Sequence, residues 1–148
     1  MLEEYIPGRE IECSVLGNEV PKASSVGEII TQNHAFYDYE AKYLDADGAV
    51  LKIPAKIPAV TAKKFQELAK KTFNVLCCSG MGRVDGFLKE NGEVIINEIN
   101  TIPGFTSISM YPKLWEQSGL KYPDLIDKLV DLAIRRFKKQ TSLKRIFG

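Results

Sequence analysis

The stretch from Met81 to Asn100 constrains the fold more than any other part of this 148-residue chain. Two runs of β-forming residues flank Glu90-Asn91-Gly92-Glu93, and Asn-Gly suits a two-residue hairpin turn because both positions tolerate positive φ. With Asn91 and Gly92 as the loop, Glu90 faces Glu93, and counting outward sets Asp85 against Glu98 and Arg83 against Asn100. All four polar side chains then share one face. Phe87 and Ile96 fall on the same face nearer the turn, so the hairpin reads as apolar at its closed end and charged at its open end.

Two carboxylates directly opposite on one face of an antiparallel pair bring their Cβ atoms to about 4.5–5.5 Å, which destabilises the sheet unless something neutralises them. A divalent cation would do so. Asp85, Glu98 and Asn100 are oxygen donors of the kind Mg²⁺ prefers, and Mg²⁺ usually completes its shell with water and phosphate oxygens. Arg83, diagonal to Glu98, offers the alternative of a surface salt-bridge cluster, and the pattern alone leaves both open. The loop Asn100–Met110 follows, with Gly104 and the hydroxyls of Thr101, Thr106, Ser107 and Ser109. It can aim N–H groups at an anion, or it can be an ordinary turn with solvated hydroxyls.

Ahead of the hairpin, Glu10 to Leu16 alternates, with Ile11, Cys13 and Val15 on one face and Glu10, Glu12 and Ser14 on the other, before a Gly17-Asn18 turn. This predicts a half-buried strand. A second extended segment is expected from Val20 to Ile30, and the aromatic run Phe36–Tyr43 leads to the turn residues Asp45, Asp47 and Gly48. Pro54 and Pro58 mark a loop. With Thr61 as N-cap, Ala62, Phe65, Leu68, Ala69, Thr72 and Phe73 recur at helical spacing, predicting a helix to about Asn74 that covers one sheet face. A short helix near Pro112–Ser118 stops at Gly119. Pro123 and Asp124 open a last helix whose apolar stripe is Leu125, Ile126, Leu129, Leu132, Ala133, Arg136 and Phe137.

Composition narrows the function classes. With 45% hydrophobic residues, the chain can bury one core and is too short for two ordinary domains, so residues 1–148 are expected to form a single domain. Twenty basic against nineteen acidic residues give a net charge of +1, and no basic stripe interleaves with aromatics, which argues against a nucleic-acid partner. Met1-Leu2-Glu3-Glu4 lacks a basic leader, and no run approaches the roughly 18 apolar residues of a membrane span, so a cytoplasmic location is expected. Cys13, Cys77 and Cys78 suit neither zinc nor a disulfide framework and read as reduced packing thiols. The single histidine, His34, leaves catalysis to carboxylates, amides, Lys, Arg or Tyr.

Gly82-Arg83-Val84-Asp85, followed by Asn97-Glu98-Ile99-Asn100-Thr101-Ile102-Pro103-Gly104-Phe105-Thr106, closely resembles the signature of the D-alanine-D-alanine ligase family. Ser109-Met110-Tyr111-Pro112 continues it; Phe36–Tyr43 and Pro7-Gly8-Arg9-Glu10 resemble two further segments, and the likeness runs from about Leu2 to about Phe137. It implies an α+β fold, the C-terminal subdomain of an ATP-grasp ligase, with a mainly antiparallel sheet flanked by helices. ATP and two Mg²⁺ ions, with Mn²⁺ as a substitute, are the implied cofactors, and the implied metal ligands are Asp85, Glu98 and Asn100, the same three the hairpin count brings together.

By the same resemblance, Arg83 and the backbone N–H of Gly104 stabilise an oxyanion, while Ser109 and Met110 hold the carboxylate of a second D-alanine. Lys42 contacts ATP phosphate and Tyr43 meets a loop that covers the substrate. Glu3, Glu4 and Ile6 lie in the hinge that receives adenine, Glu10 bonds the ribose, and Asn97 also belongs to the nucleotide site. The implied reaction phosphorylates the carboxylate of one D-alanine and lets the amine of another displace phosphate, supplying D-alanyl-D-alanine for peptidoglycan. A homodimer is implied for the full-length enzyme.

Two departures stand out. The family's N-terminal substrate domain and first ATP-grasp subdomain have no counterpart here, so the chain alone is expected to be inactive. Gly86 stands where the family usually carries a bulky apolar residue, and looser packing behind Asp85 is expected. The alternatives are a ligase with another second substrate, such as D-lactate, or a non-catalytic nucleotide-binding module.

Overall fold

Among the described residues, five strands form one antiparallel sheet in the spatial order β3-β2-β1-β4-β5: β1 (Arg9–Gly17), β2 (Lys22–Thr31), β3 (Ala49–Lys52), β4 (Gly80–Leu88) and β5 (Val94–Asn100). Among the described residues three helices accompany it: α1 (Ala59–Val75), α2 (Met110–Gln117) and α3 (Tyr122–Ser142). The computed structural model describes residues 2–31, 49–106 and 108–142. The expectations for His34, the Phe36–Tyr43 run with Lys42 and Tyr43, the turn at Asp45, Asp47 and Gly48, and Ser107 lie outside the described residues. No helix among the described residues is long and apolar enough to cross a membrane.

Helix α1 covers one face of the sheet, setting Phe65, Ala69 and Phe73 on Ile11, Cys13, Val15, Val84 and Val94. It begins at Ala59 with Pro58 as N-cap, whose carbonyl accepts from the Ala62 N–H at 3.0 Å; Thr61 lies inside the first turn and does not cap. The fixed φ of proline sets up the helix entry without a side-chain cap. Against the other face, α2 lays Met110 and Leu114 on Ile29, while Tyr111 and Trp115 join Leu16 and Leu125 of α3.

Strand β1 is not half-buried as its alternation suggested. It is the central strand, and its polar side is covered as well, so Glu12 and Ser14 are as buried as Ile11 and Cys13. The hydroxyl of Ser14 donates to the Tyr111 carbonyl at 3.2 Å, and the Tyr111 hydroxyl donates to the Val15 carbonyl at 3.0 Å. On α3, Leu125, Leu129 and Leu132 make the contact line, but Ile126 is 40% exposed and Phe137 66% exposed. At 3.6 residues per turn those two side chains sit roughly 100° or more round the helix from that line.

The hairpin register holds where it matters for a reason the count did not contain. The loop has three residues, Glu90 to Gly92: the Gly92 N–H donates to the Lys89 carbonyl at 3.0 Å, the Lys89 N–H to Glu93 at 2.9 Å, and Gly92 takes φ 81°. This is a turn closed by a glycine in the left-handed region, and it shifts the pairs near the turn to Leu88–Val94 and Gly86–Ile96. A bulge follows, with Asn97 as the extra residue, and beyond it Asp85 pairs Glu98 and Arg83 pairs Asn100. The extra loop residue and the extra bulge residue cancel. Between them, however, the faces are exchanged: Ile96 turns to the α1 core and Ile95 is the partner of Phe87.

Gly86 is not loosely packed. A Cβ there would lie 2.6 Å from the Ile95 carbonyl oxygen and 3.0 Å from Phe65 Cε2, so the Phe65 ring occupies the room a larger residue would need. Gly86→Ala is therefore expected to cost about 1–3 kcal/mol, read as a fall in the urea unfolding midpoint, because the obstructing atom is backbone. An unchanged midpoint would show that the bulge can slide. The thiols also divide, with Cys13 buried and its thiol pushed up to about 12 by burial, whereas Cys77 is exposed and not a packing residue. A thiol reagent should label Cys77 rapidly in the native chain and Cys13 only after unfolding, a difference that peptide mapping would resolve.

Candidate active site

The face of the sheet opposite α1 carries Glu10, Glu12 and Ser14 from β1, which pair with Phe87, Asp85 and Arg83 of β4. From β5, Glu98 and Asn100 align with Asp85 and Arg83. The central strands thus set two carboxylates, Glu12 and Asp85, directly opposite each other at 0% and 3% exposure. One guanidinium serves both. Arg83 grips Asp85 as a fork, with Nε donating to Oδ1 at 2.8 Å and Nη2 to Oδ2 at 2.7 Å, and Nη2 also lies 3.2 Å from Glu12 Oε1. Charged groups this far from water persist only when paired.

Sequence reasoning named Arg83 and Asp85 and passed over Glu12. The signal was the polar stripe Glu10, Glu12, Ser14, but the hydrophobic pattern does not say which strand lies beside β4, and that pairing gives Glu12 its meaning. The chemistry of the donor set fits a hard cation. Asp85 and Glu98 are neighbours in register, Glu98 is exposed to incoming ligands, and Asn100 contributes an amide oxygen. Among the described residues no group of three His, Cys, Asp or Glu side chains is arranged to hold a metal, so the set is two carboxylates and an amide. Both Asp85 oxygens here face Arg83, and Asn100 Oδ1 accepts from the Ile102 N–H at 3.1 Å.

The loop after β5 is built to hold a shape. Ser109 Oγ accepts from the Thr106 N–H at 2.9 Å, and a Cβ on Gly104 would come within 2.9 Å of the same oxygen. Glycine is needed at 104 for that close approach. Phe105 packs its ring 5.8 Å from Tyr111 and 5.3 Å from Tyr122, and its carbonyl accepts from the Tyr122 hydroxyl at 3.1 Å. Gly104 and Ser109 are thereby brought together at the N-terminus of α2, where Ser109 is the N-cap. The Met110 side chain is buried against Ile29, so only its backbone is available to a ligand. Asn97 is the exposed bulge residue, Glu10 is half-buried one pair beyond Glu12, and Ile6 is half-buried ahead of β1. Glu3 and Glu4 are solvent-exposed in the same segment ahead of β1.

Comparison with known proteins bears on this arrangement. The family model described as D-ala D-ala ligase C-terminus matches residues 1–131. A D-alanine–D-alanine ligase of Shouchella clausii is 56% identical over 144 residues, which is 97% of this chain and 39% of that protein. Among solved structures, the D-alanine-D-alanine ligase from Coxiella burnetii superposes with a TM-score of 0.81 at 47% identity, covering 94% of this chain and 35% of that one. The D-alanine–D-alanine ligase from Bacillus anthracis complexed with ATP gives a TM-score of 0.76 at 26% identity, with 93% and 42% covered. The chain spans less than two-fifths of the length of the curated relatives it matches.

Arg83→Met should remove the guanidinium that bridges the buried Glu12 and Asp85 carboxylates and destabilise the chain by roughly 3–5 kcal/mol in chemical denaturation. A loss under about 1 kcal/mol, the range of an exposed pair, would show that these carboxylates are hydrated.

Proposed function

The chain belongs to the D-alanine-D-alanine ligase family, by its C-terminal domain, and from that membership we propose that it is the catalytic C-terminal part of an ATP-dependent ligase joining two D-alanine molecules. In this reading residues 1–148 form a single domain, preceded in the full-length enzyme by a substrate domain and the first ATP-grasp subdomain. Their product, D-alanyl-D-alanine, feeds peptidoglycan synthesis in the cytoplasm, and the full-length enzyme is a homodimer. The observation that carries the reading is the grouping of Arg83, Asp85, Glu98 and Asn100 on one sheet face, beside a loop that presents Gly104 and Ser109.

The residues divide the work. The carboxylate of the first D-alanine attacks the γ-phosphorus of ATP, forming an acylphosphate and releasing ADP. The amine of the second D-alanine then adds to the acyl carbon; the oxyanion so formed faces Arg83 and the Gly104 N–H, and phosphate leaves as the carbonyl returns. Ser109 and the backbone of Met110 receive the carboxylate of the second D-alanine, which fixes its amine for attack. Asp85, Glu98 and Asn100 are the side chains that would hold Mg²⁺, or Mn²⁺, which when bound neutralises phosphate charge. Glu3, Glu4, Ile6, Glu10, Lys42 and Asn97 are assigned to the nucleotide, with Tyr43 at the covering loop.

The isolated chain should release little phosphate from ATP in the presence of D-alanine and Mg²⁺, because the facing half of the nucleotide clamp and much of the first substrate's site are missing. The same domain with the preceding domains in place should turn over. In that enzyme Glu98→Gln should lower turnover well beyond tenfold while leaving the unfolding temperature unchanged or raised. Turnover within tenfold, about 1.4 kcal/mol of barrier, would remove Glu98 from the ligand set.

A further inference from the structure

Arg83 is held from two strands at once, and the second hold is more than Asp85 alone requires. Asp85 already gives the guanidinium a two-point fork from its own strand. Glu12, on β1, adds a third contact to Nη2 at 3.2 Å from a position with 0% exposure. Placing a carboxylate at the centre of a sheet is costly in hydration, so its presence beside a guanidinium that Asp85 already holds calls for a task. Conflicting demands on Asp85 supply it: the reading above asks Asp85 to face a cation, yet here both of its oxygens are spent on Arg83. If Asp85 were the guanidinium's only partner, turning it to a cation would release the Arg83 side chain into its many rotamers.

We propose that Glu12 is the positioning residue for Arg83, holding the guanidinium in place from β1 so that it stays aimed at the developing oxyanion while Asp85 serves the cation. This rests on the reading of Arg83 as the oxyanion-stabilising group. In this role Glu12 itself touches neither substrate nor nucleotide. Its fixity comes from the fold: β1 is the central strand, α1 closes the far side, and Ser14, the next residue on the same face, is tied to the Tyr111 carbonyl at 3.2 Å. The pair it forms with Arg83 is charge-balanced without Asp85, so that side chain can turn without stranding a buried guanidinium.

The test uses the ligase with its preceding domains in place and the variants Glu12→Gln, Glu12→Asp, Arg83→Lys and the Glu12→Gln/Arg83→Lys double variant. Glu12→Gln is expected to lower kcat roughly 10- to 100-fold, the usual effect of losing a supporting partner, with KM for ATP changed less than threefold. Glu12→Asp should recover part of the loss. In the Arg83→Lys background the same change should have little further effect, because the group it positions is already gone. A readout independent of turnover is the Arg83 side-chain Nε–H resonance, identified by its absence in Arg83→Lys. On adding Mg²⁺ with a non-hydrolysable ATP analogue it should stay sharp in the parent enzyme and broaden in Glu12→Gln.

Equal losses in the parent and Arg83→Lys backgrounds, or an Nε–H signal indifferent to Glu12, would overturn the proposal. If Glu12→Gln does not fold, the resonance and kcat of Glu12→Asp decide in the same way, parent-like values in both overturning it. Arg83→Lys with parental turnover would sink the oxyanion reading and this inference together. Arg83→Lys crippled beside a normal Glu12→Gln would sink this inference alone.

Discussion

Two buried acids and the half-buried base that joins them set the terms for the rest of this fold. Glu12 and Asp85 occupy opposed positions on the central strand and its neighbour β4, and Arg83 reaches both. A sheet can carry such a group only if its strands cannot slip by one residue, since a slip would send every side chain to the opposite face. The α1 face meets that requirement by packing Phe65, Ala69 and Phe73 on the apolar alternate residues of the same strands. The apolar face therefore fixes the register, and the register sets the spacing of the charges.

Much of this was legible because the signals were local. The Asn91-Gly92 pair announced the hairpin, and its charged far end announced the partners Asp85–Glu98 and Arg83–Asn100. The count succeeded through two offsetting irregularities, a three-residue loop and a bulge at Asn97, and where it passed between them it put Ile96 on the wrong face. Neither irregularity has a strong single-sequence signature: a Gly in the left-handed region suits both loop lengths, and a bulged Asn looks like any polar strand residue. The resemblance to known ligases suggests what local patterns could not, namely the roles proposed for Gly104, Ser109 and Met110.

What stayed hidden was non-local. Alternation along β1 says which residues share a side but not what covers that side, so Glu12 and Ser14 read as wet when they are buried beneath a helix and a loop arriving about a hundred residues later. The apparent looseness at Gly86 was hidden for the same reason, because the ring that fills the space comes from α1. Local periodicity also overstated the apolar contact of α3, where Ile126 and Phe137 share the helical repeat without sharing the sheet. Periodicity marks a face, and only tertiary structure says how wide a strip of it is used.

The connection through Tyr111 has a mechanical meaning. Its hydroxyl and carbonyl bond to adjacent residues of the central strand, and its ring supports Phe105 in the loop beside Gly104. Loop, helix and strand are thus fastened at one buried side chain. Segments fastened in this way are expected to move with the sheet, without the nanosecond-to-microsecond freedom of ordinary surface loops. In the ligase proposed above, such a wall would serve as a stationary template, with opening and shutting left to the structure across from it.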